Sequence, residues 1–497
     1  MSQPSPEPTR ASGDSPSRSA SDLRPGLLPG PTPGSRGVVR EVDWRAVFPC
    51  LNIFRTFRIA IHPSKLILAL VFILMMYGLG RGLDAVWPAK FTHASVPGFL
   101  DRLPLSYAST LSRSDKSGPF EVFLNFQLTQ LHFVSESVVK LDTWGAVDAV
   151  RSFVFVGPGW GFRMHPVFSV IFGVVFLVLW GLFGGAIARV AAVHIARDEK
   201  ISIRNALRFS TGKLLSFITA PLILFSFIGI AGLALAVSNL LFYIPWGIGP
   251  LLTAAVFILT LLVGFVLTLA LFGTVGGFGL MYPTVAVEGT DAFDAISRSF
   301  SYFFARPWHL LLYSAAALVY GVITYLFVKY FVFIMFVLIQ TFHVWLLGDD
   351  QRKQYEKFFP PVNFESLSYA IDYSRMDSLG IKVGAGLMSF WFYLVVGLLG
   401  AYAMSYYFSA QTVIYYLLRR DVDATELDEV YLDDADEDDL AEQALPDTDL
   451  PPNSPNSPDS PDSPGPDATA SPNPPSGSSN PDASEDPPTL GASGPAT

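Results

Sequence analysis

Six long apolar stretches dominate the pattern of hydrophobic and polar positions along the chain. A helix of about 20 consecutive apolar residues is long enough to cross a bilayer, and every one of these stretches reaches that length. The pattern therefore predicts six membrane-spanning helices in an all-α, polytopic membrane-bundle fold. The predicted spans cover residues 64–83, 166–188, 214–244, 250–282, 308–347 and 383–418.

The fifth and sixth spans are too long for a single crossing. Helices over residues 308–347 and 383–418 would measure about 55–60 Å at the usual helical rise, whereas the hydrocarbon core is about 30 Å thick. We therefore expect a helical hairpin that extends beyond the outer membrane face. Lys329 is then expected at the outer interface, where its long side chain reaches water. A lysine embedded in the membrane would instead be a candidate functional residue.

The long loop between the first two spans is expected to cover that hairpin. Apolar residues recur at helical spacing through "FEVFLNFQLTQLHFVSESVVKLD", which predicts an amphipathic helix. Residues 84–165 and 331–382 are accordingly predicted to build a small subdomain at the outer face.

Amphipathic stretches occupy some of the linkers between spans. In "EGTDAFDAISRSFSYFFARPWH", Thr290 or Asp291 is a suitable N-cap, and Pro307 prevents the helix from continuing. Asp294 and Arg298 are spaced for a helical ion pair. An apolar stripe with a polar back is typical of a helix at the membrane interface. The stripe consists of Phe293, Ile296, Phe300 and Phe303.

The same pattern occurs 89 residues earlier, where residues 198–217 align with residues 287–306. Both stretches follow a glycine-bearing span end and precede the next span. Repeats of this kind occur in transporters and also in purely structural bundles. The end of the sixth span is a weaker third copy. Residues 42–61 predict a further interfacial helix, interrupted by Pro49.

Composition agrees with a membrane protein and divides the chain by charge. Only 15% of the 497 residues are charged, against about 25% in soluble proteins. All 33 basic residues precede residue 421, whereas 20 of the 43 acidic residues follow Arg420. The formal net charge of −10 therefore combines a positive body with a strongly acidic tail.

Basic residues also orient the spans. They precede the first span, lie between the second and third spans and between the fourth and fifth, and follow the sixth. The segment between the third and fourth spans, "YIPWGIGP", is uncharged. Both termini are thus predicted to be cytoplasmic. Residues 1–37 and 421–497 are rich in Pro and Ser and are predicted to be disordered around a membrane domain of residues 38–420. The acidic tail could bind a basic partner.

Arginines near the predicted cytoplasmic face are candidate contacts for anionic lipid headgroups, each contributing about 1 kcal/mol near a charged surface. They are Arg45, Arg55, Arg58, Arg204, Arg208, Arg298 and Arg306. Glu288, in the turn before the predicted helix, has no structural explanation in the sequence. It is therefore a candidate functional residue, as is Lys329.

The residues show no pattern typical of catalysis or cofactor binding. Nucleotide-binding, zinc-protease and serine-hydrolase motifs are absent from the sequence. The single cysteine, Cys50, permits no intrachain disulfide. His62, His194 and His309, with Glu288, lack the spacing of metal ligands. We expect no catalytic residues, no metal, no cofactor and no nucleic-acid partner.

The stretch "MYPTVAVEGTDAFDAISRSFSYFFARPWHLLLY" resembles uncharacterised multi-pass bacterial membrane proteins. It is also similar to the membrane domain attached to some glycerophosphoryl diester phosphodiesterases, over residues 166–330. In that family the chemistry belongs to a separate soluble barrel, which this sequence lacks. The resemblance implies a membrane module without catalysis of its own, in a bacterial inner membrane.

These patterns favour a non-enzymatic membrane module that organises or senses lipids or partner proteins. Membrane lipids are the expected partners, with other membrane proteins as a further possibility. A small-molecule or lipid transporter is the alternative, since the repeat is compatible with one. A lipid-modifying enzyme is the least favoured, because no serine near the interfacial helix has a neighbouring base.

Overall fold

The computed structural model describes residues 49–87, 118–199, 201–359, 362, 364, 376 and 378–432. Within these ranges the chain is largely helical and contains no strand, as the apolar pattern predicts. The predicted N-terminal tail, the candidate lipid contact Arg45 and the acidic residues after 432 lie outside the described residues.

Six helices of the described chain are long and apolar enough to cross a membrane, which confirms the six-span prediction. The protein is therefore a multi-pass membrane protein of the all-α class. The spans are α2 (Pro63–Val86), α6 (Pro166–Arg197), α8 (Leu214–Ser238, followed by a 3₁₀ segment Asn239–Tyr243), α9 (Ile248–Glu288), α11 (Pro307–Trp345) and α13 (Leu379–Asp423).

Shorter helices precede, follow or connect the spans. They are a 3₁₀ segment (Pro49–Arg55), α1 (Thr56–Ala60), α3 (Pro119–Val139), α4 (Thr143–Arg151), a π-helical segment (Ser152–Val156), α5 (Gly157–Met164), α7 (Ile203–Gly212), α10 (Ala292–Ala305) and α12 (Asp349–Phe358).

The fourth span is also longer than one membrane crossing. α9 has 41 residues and measures about 62 Å. Both α6 and α9 continue past the predicted apolar stretches, because their added turns pack inside the protein. Val193 and Val287 in these turns are buried. Pro283, just after the predicted end of the fourth span, lies inside α9.

The C-terminal ends of α6, α9 and α13 meet in a well-buried region. Phe408 on α13 lies against Gly184 on α6 and 5.6 Å from Tyr282 on α9, between ring centroids. Further along, the Tyr416 hydroxyl donates to the Ala192 carbonyl at 3.2 Å. The three helices therefore run in the same direction and end together. We call this region the packed end; it consists of residues 183–197, 280–288 and 401–423.

Helix α10 begins and ends as predicted. Asp291 accepts a hydrogen bond from the Asp294 backbone at 3.0 Å, Gly289 ends α9 with a φ of 65°, and α10 stops before Pro307. The predicted stripe only partly faces the protein: Phe293 is 70% exposed, whereas Ile296, Phe300 and Phe303 are partly buried against the core. Small side chains let α10 approach α9 closely. The buried face consists of Ala292, Ala295, Ser299 and Tyr302.

The 89-residue repeat is visible in the packing. Ser210 of α7 and Ser299 of α10 are both fully buried. Ser210 donates to the Leu182 carbonyl of α6 at 2.6 Å, and Ser299 lies against Gly277 of α9. Each amphipathic helix therefore packs through the same serine position on the span that precedes it.

The third unit begins at the N-terminal segment, not at the end of the sixth span as the sequence suggests. The sixth span continues as one helix to Asp423. The segment Pro49–Ala60 packs on α13 instead, where the Ser405 hydroxyl donates to the Ala60 carbonyl at 2.6 Å. This segment precedes α2 as α7 precedes α8 and α10 precedes α11. Each of the three amphipathic segments thus packs on one of the spans that end together at the packed end.

The opposite ends of the spans carry the extended hairpin and the helix of the first loop. Val332 and Phe336 on α11 pack against Phe392 on α13. Helix α3 contacts both α2 and α11. Its first turn is held by Asp84, which accepts from the Phe120 backbone at 2.9 Å. The loop and the hairpin therefore meet.

Candidate functional site

Glu288, the last residue of α9, lies at the centre of a polar cluster at the packed end. Its Oε1 atom accepts from the Tyr415 hydroxyl at 2.9 Å and lies 3.0 Å from Arg419 Nε. Its Oε2 atom lies 3.5 Å from Arg298 Nη1. The structure thus provides the explanation that the sequence lacks. It also assigns Arg298 an ion pair with Glu288 in place of the predicted pair with Asp294.

The chain after α13 folds back onto this cluster. Arg419 Nη1 donates to the Glu429 carbonyl at 2.8 Å, and the Tyr431 backbone donates to the Val287 carbonyl at 2.8 Å. The sequence places residues 424–432 in the acidic tail, whereas the structure packs them against the packed end.

A second group of side chains joins α10, α11 and the end of α13. The Tyr302 hydroxyl donates to Asp423, and the Tyr313 hydroxyl donates to Asp421 at 2.9 Å. His309 Nδ1 lies 3.3 Å from the same Asp421 carboxylate. Burial, together with the bond to Asp423, raises the pKa of the Tyr302 phenol to about 12. Tyr302 therefore remains a hydrogen-bond donor at neutral pH.

Arg189 on α6 is fully buried and holds α6 against the end of α9. Its Nη1 atom donates to the Ala286 carbonyl at 2.8 Å, and its guanidinium lies 4.2 Å from the centroid of the Phe209 ring. The last carbonyls of a helix carry partial negative charge, so an arginine is well suited to this position. The sequence shows Arg189 only as one of several arginines after a span.

A third cluster lies where the N-terminal segment meets α6. The rings of His62 and His194 are 5.7 Å apart at an interplanar angle of 89°. His194 Nε2 and Arg58 Nη2 each lie 3.6 Å from Asp198 Oδ1. Lys65, which lies one helical turn after His62, is 0% exposed.

A cavity of about 320 Å³ opens beside this third cluster. Apolar side chains of the N-terminal segment form part of its wall. Its polar lining comes from Arg55, Arg58, His194 and Asp198. The cavity therefore combines two arginines, a histidine and one carboxylate.

The remaining predicted arginines lie on the exposed surface of the amphipathic helices. Arg204 and Arg208 are exposed on α7, and Arg306 is exposed after α10. Arg55 is partly buried at the cavity, and Arg58 is exposed apart from its pair with Asp198. Only Arg45 lies outside the described residues.

Lys329 lies far from these clusters. It is 22 residues into α11, about 33 Å from the start of that helix. Its Nζ atom lies 4.8 Å from the centroid of the Phe364 ring, and the side chain is buried. The position is compatible with the predicted interface location, because about 30 Å suffices to cross the hydrocarbon core.

The histidines considered as metal ligands do not converge. His62 and His194 lie together, but His309 pairs with Asp421 and Glu288 pairs with Arg419. The described part of the chain contains no group of three or more metal-binding side chains. The Glu288 carboxylate is occupied by two arginines and a tyrosine, an arrangement suited to holding helices together.

Comparison of the chain with protein-family models, with curated proteins and with solved structures gives no match. The similarity to the membrane domain of glycerophosphoryl diester phosphodiesterases therefore remains an expectation from the sequence.

Proposed function

We propose that this protein is a non-enzymatic membrane module that binds anionic lipids around its packed end. The supporting observation is the arrangement of charge on the amphipathic helices. Each helix turns small or apolar residues toward the spans, and α7 leaves Arg204 and Arg208 exposed. The acidic side chains at the centre, such as Glu288 and Asp421, are already paired.

The orientation follows from the same charges. We propose that the packed end faces the cytoplasm of a bacterial cell, where anionic headgroups attract exposed arginines. The module would then hold lipid headgroups between neighbouring amphipathic helices.

The experiment is the double substitution Arg204→Ala and Arg208→Ala in the full chain. Both side chains are exposed, so folding is expected to be unaffected. Losing two headgroup contacts of about 1 kcal/mol each should weaken phosphatidylglycerol binding by about tenfold or more. Native mass spectrometry of the delipidated protein, titrated with phosphatidylglycerol, measures the change.

The matched control replaces two basic residues at the other end of the molecule, Arg352→Ala and Lys353→Ala on α12. This variant should bind phosphatidylglycerol as the unaltered protein does. Equal affinity of the α7 variant and the unaltered protein would refute the lipid-binding role of α7.

A further inference from the structure

Lys65 is the most unusual charged residue in the described chain. It is 0% exposed, and its Nζ atom has no hydrogen-bond partner among the described residues. A buried, unpaired ammonium group is strongly unfavourable in a protein interior. Such burial is relieved either by loss of the proton or by a counter-charge, and an anion bound from outside the chain would supply the counter-charge.

The surroundings of Lys65 also favour an anion. Lys65 lies in the first turn of α2, and the N-cap residue His62 makes no side-chain capping bond there. Pro63 has no N–H group and the Lys65 N–H donates to the His62 carbonyl at 3.1 Å, so the helix acts mainly through its dipole, which favours negative charge at the N-terminus. Both the helix and the lysine therefore contribute positive potential at one place.

The same cluster extends to the cavity. His194 lines the cavity beside Arg55 and Arg58, and its ring lies 5.7 Å from the ring of His62. Lys65 follows His62 in the first turn of α2. The His194 Nδ1 atom is buried and has no hydrogen-bond partner among the described residues. Asp198 pairs with Arg58 and His194, and Arg55 lines the same cavity. The two arginines therefore outnumber the single carboxylate there.

We propose that Lys65, His194, Arg55 and Arg58 form a binding site for a phosphate-class oxyanion. Lys65 supplies the buried charge, His194 supplies a directional contact, and the two arginines surround the entrance. Phosphate oxygens accept several charge-assisted hydrogen bonds at once, which fits this set of donors. The bound phosphate can belong to a lipid headgroup or be a free phosphate ion. The first case rests on the proposed function and extends it.

The first experiment measures thermal unfolding of the delipidated full chain in a neutral detergent. Phosphatidic acid and diacylglycerol with the same acyl chains differ only in the phosphate group. Inorganic phosphate, compared with chloride at equal ionic strength, tests the free anion. A ligand that binds only the folded state raises the midpoint of unfolding. Phosphatidic acid is expected to raise it and diacylglycerol to leave it unchanged.

The two phosphate sources give different outcomes. A rise with phosphatidic acid alone assigns the site to a lipid headgroup. An equal rise with inorganic phosphate assigns it to the free anion. No rise with either phosphate-bearing ligand would overturn the site, whatever the α7 arginine variant shows.

The second experiment compares Lys65→Met with Lys382→Met, which removes an exposed lysine at the opposite end of the spans. Lys65→Met should weaken phosphatidic acid binding by about tenfold or more, the effect of losing one charge-assisted bond. Lys382→Met should bind as the unaltered protein does. Unchanged affinity of Lys65→Met would overturn the proposal. If Lys65→Met does not fold, the comparison of phosphatidic acid with diacylglycerol on the Arg204→Ala and Arg208→Ala variant decides, because a rise that persists there does not come from α7.

Discussion

Glu288 connects segments that are far apart in the sequence. Its carboxylate contacts Arg298 ten residues later, and Tyr415 and Arg419 on the last span. The Glu288 side chain is only 13% exposed, so water screens these contacts weakly. A single carboxylate therefore fixes the end of α9 against both α10 and α13.

Replacing Glu288 with glutamine should destabilise the packed end. Glu288→Gln keeps the shape of the side chain but leaves Arg419 and Arg298 without their anion. Hydrogen bonds to charged groups contribute about 1.5–3 kcal/mol each, so we expect a loss of about 2 kcal/mol in the free energy of unfolding. Chemical denaturation in detergent micelles measures it. Glu426→Gln, at an exposed position, is the control, and equal stability of the two variants would contradict this role.

The sequence marks Glu288 as unusual but cannot name its partners. Arg419 lies 131 positions further along the chain, and no local pattern links the two residues. The same holds for Arg189 and Lys65, whose burial depends on helices that pack only in the complete fold. Glu288 stands out because it follows an apolar span and lies outside the helical pairing rules, and that signal suffices to single it out.

The amphipathic helices illustrate what local signals can predict. An N-cap at Asp291 and a stop before Pro307 define α10 correctly, because both act within a few residues. The buried face of α10 is harder to predict. Phenylalanines form its most apolar stripe, yet the close approach of α10 to α9 depends on small residues such as Ala295 and Ser299.

The segment after α13 contributes contacts that can be removed cleanly. A chain ending after Asp423 loses the Arg419–Glu429 and Tyr431–Val287 hydrogen bonds. At about 1 kcal/mol each, plus buried apolar surface, the loss should be about 2–4 kcal/mol in the free energy of unfolding.

A chain ending after Leu432 is the matched control for that truncation. It keeps the Arg419–Glu429 and Tyr431–Val287 hydrogen bonds and removes only the acidic Pro- and Ser-rich remainder, so we expect it to unfold like the full chain. If the two truncations unfold alike, the segment does not stabilise the packed end.

At the scale of the whole molecule, the single cysteine can test the proposed orientation. Cys50 is partly exposed and belongs to the N-terminal segment at the packed end. A membrane-impermeant maleimide should label it in permeabilised spheroplasts but not in intact ones, because the packed end is proposed to face the cytoplasm.

The control for the labelling experiment places a cysteine at the other end of the spans. Asp350→Cys, combined with Cys50→Ser, puts a thiol at an exposed position of α12. This variant should be labelled in intact spheroplasts. Labelling of Cys50 in intact spheroplasts would contradict the proposed orientation, because the packed end would then face the outside.

The contact between Ser405 and Ala60 has a consequence for biosynthesis. The two residues are 345 positions apart, and a ribosome adds about 5–20 residues per second. Ser405, the partner of the Ala60 carbonyl, is therefore synthesised roughly 20–70 s after Ala60. During that interval the N-terminal segment lacks its final docking surface on α13. A chaperone or insertase that shields this segment would find its substrate at that stage of translation.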